Sequence, residues 1–384
     1  MRRPLLDRLP PPSRPWIFAV EDTTAQITWR ALPPGPVRFA AADTIVEVLS
    51  DGGPGSVVLG DLPPGSDLEL RVQGAAGLPR SWARQRFRTL TPPPGEELAR
   101  FATISDMHIG EIAFGVRAAL LERPVPVEAH PVRATRSAID ALAAWGAGTL
   151  VVKGDLTHNG RAKDWATIGG LLAASPVATE VLLGNHDSYG APGEPVPELA
   201  LAPFGIVPAR GAAPVAVTGL NLVLVDTTVP HERGGSVRHV QADVVDLLRA
   251  DPRPAFLALH HHGERHAVPM FLPRGVPRTE MTGFVDAVRW ARPATMITSG
   301  HTHRHRRRQV GPVILTEVGA TKDFPGTWAG YVVHEGGIRQ VVRRVDEPAL
   351  LRWTDHSARA AGGAWGLWSP GRRSDRSFSH RWPR

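Results

Sequence analysis

The chain of 384 residues contains no cysteine. Disulfide bonds, thiolate metal ligands and a thiol nucleophile are therefore excluded. Any metal ion must instead be bound by histidine, aspartate, glutamate or asparagine side chains. Histidine is plentiful, because the chain has 16 and a group of them falls between His260 and His305. We treat that group as the first candidate for a metal site.

The sequence also lacks a long apolar run. No stretch approaches the ~20 consecutive apolar residues that a membrane-spanning helix requires. Arg2 and Arg3 stand near the start, but the apolar stretch of a secretory or twin-arginine leader does not follow them. These absences predict a protein without a transmembrane segment, located in the cytoplasm.

Positive charge is concentrated at one end of the chain. The formal net charge is +7 and the pI is about 10.7. From residue 350 onward there are seven arginines and two aspartates, a net charge of +5, so the rest of the chain is nearly balanced in charge. Nucleic-acid binding is therefore not supported for the body, although it stays open for the tail. We expect this tail, residues 347–384, to be solvated or loosely docked.

Residues 15–91 contain short alternating apolar and polar segments that are separated by proline- and glycine-rich turns. Several such strands at this spacing predict a small all-β sandwich. With phrases such as DLPPGSDLELRV, the segment resembles a fibronectin type III-like domain, a common N-terminal companion of purple acid phosphatases. We interpret residues 1–14 as an N-terminal tail and the proline-rich residues 92–98 as a linker.

Residues 99–346 alternate between apolar β segments and amphipathic helical segments. We place strands at 101–105, 149–153, 180–183, 222–225, 255–259 and 295–298. Helices are expected near 134–145, 162–174, 237–248 and 281–291, and residues 309–345 have an all-β pattern. The alternation predicts an α/β domain, a β-sandwich flanked by helices, preceded by the small all-β domain.

Polar motifs follow five of these strands, and the carboxyl ends of parallel strands meet at one crevice. Along the chain they read D-x-H, G-D, G-N-H-D, H-H-H and G-H-x-H. Imidazole, carboxylate and amide donors together favour Mn, Fe, Zn or Co over calcium. The candidate ligands are Asp106, His108, Asp155, Asn185, His301 and His303, together with one of His260, His261 and His262.

This ordered set of motifs resembles the calcineurin-like metallophosphoesterase superfamily over residues 99–345. The resemblance implies two divalent metal ions and a bridging hydroxide that attacks a phosphate ester. It places one metal on the donors Asp106, His108, Asp155 and His303. Asp155 is expected to bridge to a second metal, which is also bound by Asn185, His260 and His301.

The resemblance also assigns roles beside the metals. His186 is expected next to the substrate, near Asn185, where it stabilises the phosphoryl transition state or protonates the leaving group. Asp187 is expected to support the turn, and His260 is preferred over His261 and His262 because it ends its strand. We interpret three further histidines as loop residues: His158, His266 and His305.

The sequence differs from the motifs of two related families, and these differences argue against their activities. Protein phosphatases of this superfamily carry G-D-x-x-D-R-G, whereas this chain has His158 and Asn159 in place of the second acid and the arginine. Purple acid phosphatases carry D-x-G, whereas this chain has His108. The closest remaining resemblance is to bacterial phosphodiesterases, including the class that opens 3′,5′-cyclic nucleotides, and it implies hydrolysis of a small phosphodiester. The alternatives are a phosphomonoesterase, a non-catalytic binding protein and a nuclease guided by the basic tail.

Two segments are candidates for shaping substrate choice. Residues 109–132, with Gly115, Pro124 and Pro126, form a long link between strand and helix and are a candidate lid. The tail interleaves arginine with Trp353, Trp365, Trp368 and Trp382, a pattern that also occurs in membrane-surface and single-strand-binding segments. We favour packing of these tryptophans against the N-terminal sandwich.

Overall fold

The computed structural model describes residues 15–74, 78, 80–115, 118–123, 127–190, 192–266 and 273–383. The predicted N-terminal tail, 1–14, lies outside the described residues, as do Pro124 and Pro126. The all-β region that precedes the α/β domain is confirmed. Its strands are β1 (Trp16–Val20), β2 (Ala25–Trp29), β3 (Gly35–Ala41), β4 (Thr44–Ser50), β5 (Gly55–Leu59), β6 (Asp67–Gln73) and β7 (Arg84–Arg88), and helix α1 spans Arg80–Ala83.

These strands form two antiparallel sheets, one in the order β1-β2-β5 and one in the order β4-β3-β6-β7. Alternate side chains of both sheets point inward, because successive residues of a strand face opposite sides. They enclose an apolar core that includes Ile27, Val37, Phe39 and Leu70. Trp29 and Phe39 stack in this core with ring centroids 5.1 Å apart.

The α/β domain is built on two six-stranded sheets. The first has the order β12-β11-β8-β19-β20-β21, from β8 (Glu97–Ile104), β11 (Thr149–Lys153), β12 (Ala178–Leu182), β19 (Thr327–His334), β20 (Gly337–Arg344) and β21 (Phe378–Arg381). The second has the order β13-β14-β15-β16-β18-β17, from β13 (Ala212–Val217), β14 (Leu220–Val225), β15 (Ala255–Leu259), β16 (Thr295–Ser299), β17 (Arg306–Val310) and β18 (Val313–Glu317).

The two sheets pack face to face with helices on their outer sides, which confirms the predicted fold class. Phe101, Phe256 and Tyr331 meet between the sheets. Helices α2 (His130–Ala144) and α3 (Ala162–Ala173) cover the first sheet, and α6 (Gln241–Ala250) and α7 (Arg278–Ala291) cover the second. The short helices α4 (Asn185–Ser188) and α5 (Pro197–Leu201) follow β12. No described helix is long and apolar enough to cross a bilayer.

Strand direction explains where functional residues gather. In the first sheet β8, β11 and β12 run parallel to one another, and in the second sheet β15 runs parallel to β16. The carboxyl ends of these strands therefore lie at the same edges of the two packed sheets. The five polar motifs follow these strands.

The C-terminal segment, which the structure describes over residues 347–383, is folded into the molecule, so the expectation of a solvated or loosely docked tail is wrong. It contains α8 (Pro348–Ser357), α9 (Ala364–Trp368) and α10 (Arg373–Arg376), and its last strand, β21, pairs antiparallel with β20. Arg376 is buried, with its guanidinium over the rings of Trp16 and Phe18. The segment thus packs against the first strand of the N-terminal sandwich.

Arg376 also serves as a hydrogen-bond donor to several backbone carbonyls. It donates to the oxygens of Phe18 at 3.1 Å, Gly371 at 3.2 Å and Pro370. We expect Arg376→Met to lower the free energy of unfolding by about 3 kcal/mol, because buried acceptors then lose their donor. Urea unfolding measures this change, and Arg372→Met is the control because Arg372 is exposed. Equal unfolding midpoints for the two variants would show that Arg376 is not a structural anchor.

Candidate metal centre

Short turns at the strand ends bring the predicted ligands together. Five of them have positive φ, a region that costs non-glycine residues about 1–3 kcal/mol each. These are Asp106, His108, Asp155, His301 and His303, with φ between 47° and 67°. Glycines permit the close approach of these turns: a Cβ at Gly154 would lie 2.5 Å from His260 Nδ1, and one at Gly300 would lie 2.7 Å from Asp106 Oδ2. The local backbone is therefore shaped around the donors.

Four of the predicted ligands form a first donor group. His303 Nε2 lies 3.3 Å from Asp106 Oδ1 and 3.2 Å from His108 Nε2. His108 Nε2 lies 3.5 Å from Asp155 Oδ2. Two imidazole nitrogens and two carboxylates therefore face one small volume, which suits a divalent cation that accepts nitrogen and oxygen donors.

The other predicted ligands form a second donor group around His260. Its Nε2 atom lies 3.2 Å from Asn185 Oδ1, 3.2 Å from His301 Nδ1 and 3.3 Å from Asp155 Oδ1. Asp155 thus directs one oxygen at each group, which is the arrangement expected of a bridging carboxylate. The structure brings all seven predicted ligands together in two groups that share Asp155.

Outer hydrogen bonds orient three of the four imidazole rings. His260 Nδ1 donates to Lys153 O at 2.7 Å, and His301 Nε2 donates to Arg274 O at 2.8 Å. His303 Nδ1 lies 2.8 Å from Asp323 Oδ2. In the neutral form of each ring the outer nitrogen carries the single proton, so the opposite nitrogen presents its lone pair to the donor group. These tautomers are the ones that metal binding requires.

The electrostatics of the centre favour positive charge. Burial opposes protonation of His260, but Asp155 and Asp106 outweigh it and raise the pKa of His260 to about 9. Burial is likewise outweighed at His303, where Asp323 and Asp106 raise the pKa to about 10. Burial lowers the pKa of His108 and of His301 well below the usual value. Protons and metal ions compete for such donors, so we expect metal affinity to fall as the pH is lowered.

His186 lies beside the first donor group. Its ring is 4.5 Å from that of His108, and its Nδ1 donates to the backbone oxygen of His158 at 2.8 Å. The backbone N–H of His186 donates to Asp155 Oδ1 at 3.0 Å. The half-buried ring is therefore held by a neutral carbonyl where protein phosphatases use an acid, and no described residue makes a hydrogen bond to its Nε2.

Asp187 ties the turns together. Its carboxylate accepts hydrogen bonds from the backbone N–H groups of Leu156, Thr157 and Gly184 at 2.9–3.1 Å. No hydrogen bond or ion pair joins it to the proposed ligands. Asp187 therefore supports the turn, as the sequence predicts.

The remaining histidine candidates differ in position. His261 Nδ1 lies 2.8 Å from Thr227 Oγ1, yet its ring also approaches His260 and His301 closely enough to share an ion with them. His158 lies in a similar group with His108 and His186. His305 is buried and accepts from Gly319 N, and His266 is exposed. Among the three adjacent histidines, only His260 contacts both Asp155 and Asn185.

The sequence predictions missed three charged residues behind His303. Buried Lys322 places its Nζ 2.6 Å from Glu111 Oε2 and 3.2 Å from Asp323 Oδ2, and Asp323 in turn contacts His303. The C-terminal segment holds this loop, since Trp353 Nε1 donates to Lys322 O at 2.9 Å. Motif spacing does not predict Lys322 and Asp323, because they lie in the loop after β18, which contacts His303 only through the tertiary fold. Glu111 lies in the 109–132 segment and joins them through Lys322.

The candidate lid, 109–132, contains a short hairpin of β9 (Ala113–Phe114) and β10 (Leu120–Leu121). Phe114 on this hairpin packs against Trp365 of the C-terminal segment, with ring centroids 5.3 Å apart. Trp365 in turn approaches His303, with ring centroids 6.3 Å apart. The hairpin and the C-terminal segment therefore form one wall beside the first donor group.

We expect Asp323→Asn to weaken metal binding about 10–100-fold, because the partner of His303 loses its charge. The dissociation constant for Mn²⁺ or Zn²⁺, measured by equilibrium dialysis, checks this. Asp246→Asn is the control, since Asp246 is exposed. An unchanged affinity in Asp323→Asn would show that this contact does not support the centre.

The calcineurin-like phosphoesterase family matches residues 99–305, more than half of the chain. The chain therefore belongs to the calcineurin-like phosphoesterase family, whose activity is the hydrolysis of phosphate esters. The matched region contains every residue of the two donor groups. No curated protein matches the chain in sequence.

Solved structures with a similar fold include a dimetal phosphatase from Danio rerio, at 14% identity and a TM-score of 0.50, covering 66% of this chain and 98% of that one. Another is the purple acid phosphatase PPD1 from yellow lupin, Lupinus luteus, at 13% identity and a TM-score of 0.47, covering 88% of this chain and 73% of that one. At 14% identity the likeness to the dimetal phosphatase concerns the fold alone. The fibronectin type III-like interpretation of the N-terminal sandwich stays a prediction.

Proposed function

We propose that this protein is a binuclear metal-dependent phosphodiesterase. The observation that carries the proposal is the pair of donor groups that share Asp155. One group comprises Asp106, His108, Asp155 and His303, and the other comprises Asp155, Asn185, His260 and His301. Two divalent cations held there, as Mn, Fe, Zn or Co, would supply Lewis-acid activation of water and charge neutralisation at the phosphate.

The side chains of the chain perform three tasks in this proposal. The carboxylates of Asp106 and Asp155 balance the charge of the cations, and the oriented imidazoles fix their positions. His186 faces the phosphoryl group with Nε2, since Nδ1 is engaged by His158 O. From there it stabilises charge on the phosphoryl oxygens or gives a proton to the leaving oxygen.

The surroundings of Asp155 support a diester substrate. Asn159 occupies the position of the phosphate-gripping arginine of protein phosphatases and is exposed. A terminal phosphate carries nearly two negative charges, whereas a diester carries one and needs fewer cationic partners. A centre that relies on two cations and one histidine thus suits the diester better than the monoester.

A substrate panel tests the proposal on metal-reconstituted protein. We expect kcat/KM for bis(p-nitrophenyl) phosphate to exceed that for p-nitrophenyl phosphate by at least about tenfold. A 3′,5′-cyclic nucleotide tests whether cyclic diesters are included. Preference for the monoester would assign the protein to the phosphomonoesterases, and no turnover of any ester would favour a binding role.

A further inference from the structure

Strand β17 places several arginines at the edge of the second sheet. Side chains alternate along a strand, so Arg306 and Arg308 lie on one face while Arg307 lies on the other. The first two are half-buried and Arg307 is exposed. Arg304, two residues before the strand, joins the face of Arg306 by sharing the carboxylate of Glu317.

Glu317 pairs with more than one arginine of this cluster, which consists of Arg304, Arg306 and Arg308. Its carboxylate accepts from Arg304 Nε at 2.7 Å and from Arg306 Nη1 at 3.4 Å. Burial, together with repulsion from Arg304, Arg308 and Arg265, lowers the pKa of Arg306 to about 10 despite Glu317. The guanidinium groups of Arg304, Arg306, Arg308 and Arg265 therefore repel one another, and Glu317 offsets only part of their positive charge. A bound anion would reduce this repulsion.

Two polar atoms of the cluster lack partners among the described residues. Arg306 Nη2 and His262 Nδ1 are both buried without a hydrogen bond. Buried donors are ordinarily satisfied, so an unpaired guanidinium N–H indicates a missing acceptor.

The cluster adjoins the candidate metal centre. The His262 ring lies nearly parallel to that of His301, with centroids 5.7 Å apart. Arg304 directly follows His303, and its guanidinium is fixed over Trp368 at 4.5 Å. The cluster therefore lies next to the second donor group through the contact of His262 with His301.

We propose that Arg304, Arg306, Arg308 and His262 form a binding site for a phosphate-type dianion. Arginine suits such a ligand because its planar N–H fork matches phosphate oxygens. The dianion is either a second phosphate on the ester substrate or free inorganic phosphate. The idea that the dianion is part of the ester substrate rests on the proposed function. Binding of a dianion to this site does not depend on it.

Sulfate, a dianion of similar geometry, tests the site on metal-loaded full-length protein. The melting temperature is measured in sulfate and in chloride at equal ionic strength. At ten times its dissociation constant, sulfate is expected to raise Tm by about 2 °C, since a ligand of the folded state alone stabilises it. In Arg306→Gln/Arg308→Gln this shift disappears.

Arg307→Gln is the matched control, because it removes the same charge from the opposite face of the same strand. It keeps the sulfate shift. No shift in wild type, or equal shifts in both variants, would overturn the proposal. If the double variant fails to fold, Arg308→Gln alone gives the same comparison, because among the described residues Arg308 has a single long hydrogen bond, 3.5 Å, to Gly263 O.

Two ester substrates distinguish the sources of the dianion. They are thymidine 5′-(p-nitrophenyl phosphate) and its 3′-phosphorylated form. A KM about tenfold lower for the phosphorylated ester in wild type, lost in Arg306→Gln/Arg308→Gln, supports the substrate source. Equal KM values together with a sulfate shift support free phosphate. If neither ester is hydrolysed, the phosphodiesterase proposal fails, while the Tm shift still decides the anion site.

Discussion

Asp155→Ala is expected to lower kcat/KM for bis(p-nitrophenyl) phosphate by more than about 10³-fold. Asp155 contributes one oxygen to each donor group, at 3.5 Å from His108 Nε2 and at 3.3 Å from His260 Nε2. Its loss therefore removes a donor from both proposed metal positions at once. Removing a single stabilising donor from an active site already costs about 10²–10³-fold, and loss of a metal ion costs more.

The metal content of the same samples separates this explanation from misfolding. We expect fewer than two equivalents of metal per chain in Asp155→Ala and an unchanged circular dichroism spectrum. Asp140→Ala removes an exposed carboxylate from α2 and should retain both metal and activity. Turnover by Asp155→Ala close to that of wild type would contradict the binuclear proposal.

His186→Ala is expected to lower kcat by about 10²–10³-fold while the metal content stays at the wild-type value. A positioned histidine that transfers a proton or stabilises the phosphoryl group contributes about this much. The metal should remain because the contact from His186 to Asp155 is made by the backbone N–H, which alanine keeps. Among the described residues, the imidazole makes one hydrogen bond, from Nδ1 to His158 O.

His231→Ala is the control for His186→Ala. His231 is exposed, and its Nδ1 lies 2.9 Å from Tyr189 O. We expect near wild-type kcat in this variant. If His186→Ala loses metal in proportion to activity, His186 acts on the metal centre and its proposed role beside the substrate is wrong.

The candidate centre could be predicted from the sequence because its ligands follow strands directly. D-x-H, G-D, G-N-H-D and G-H-x-H each place donors within a few residues of a strand end, so local spacing carries the information. The choice of His260 needed the resemblance, since three adjacent histidines have the same local pattern. In the structure His260 contacts Asn185 and Asp155, whereas His261 is turned to Thr227.

Residues that act through tertiary contacts were not predictable in this way. Asp323 and Lys322 lie in a loop without a motif, and they reach His303 only because β18 and β19 pack beside the centre. The C-terminal segment was misjudged because its arginines were counted as solvated charge. Arg376 is instead buried against Phe18, and β21 adds a strand to the first sheet.

Anomalous diffraction from crystals of the Mn²⁺-loaded protein tests the central claim most directly. We predict two metal peaks, both in contact with Asp155. One should lie among Asp106, His108 and His303, and the other among Asn185, His260 and His301. A single peak, or two peaks that do not share Asp155, would contradict the binuclear centre.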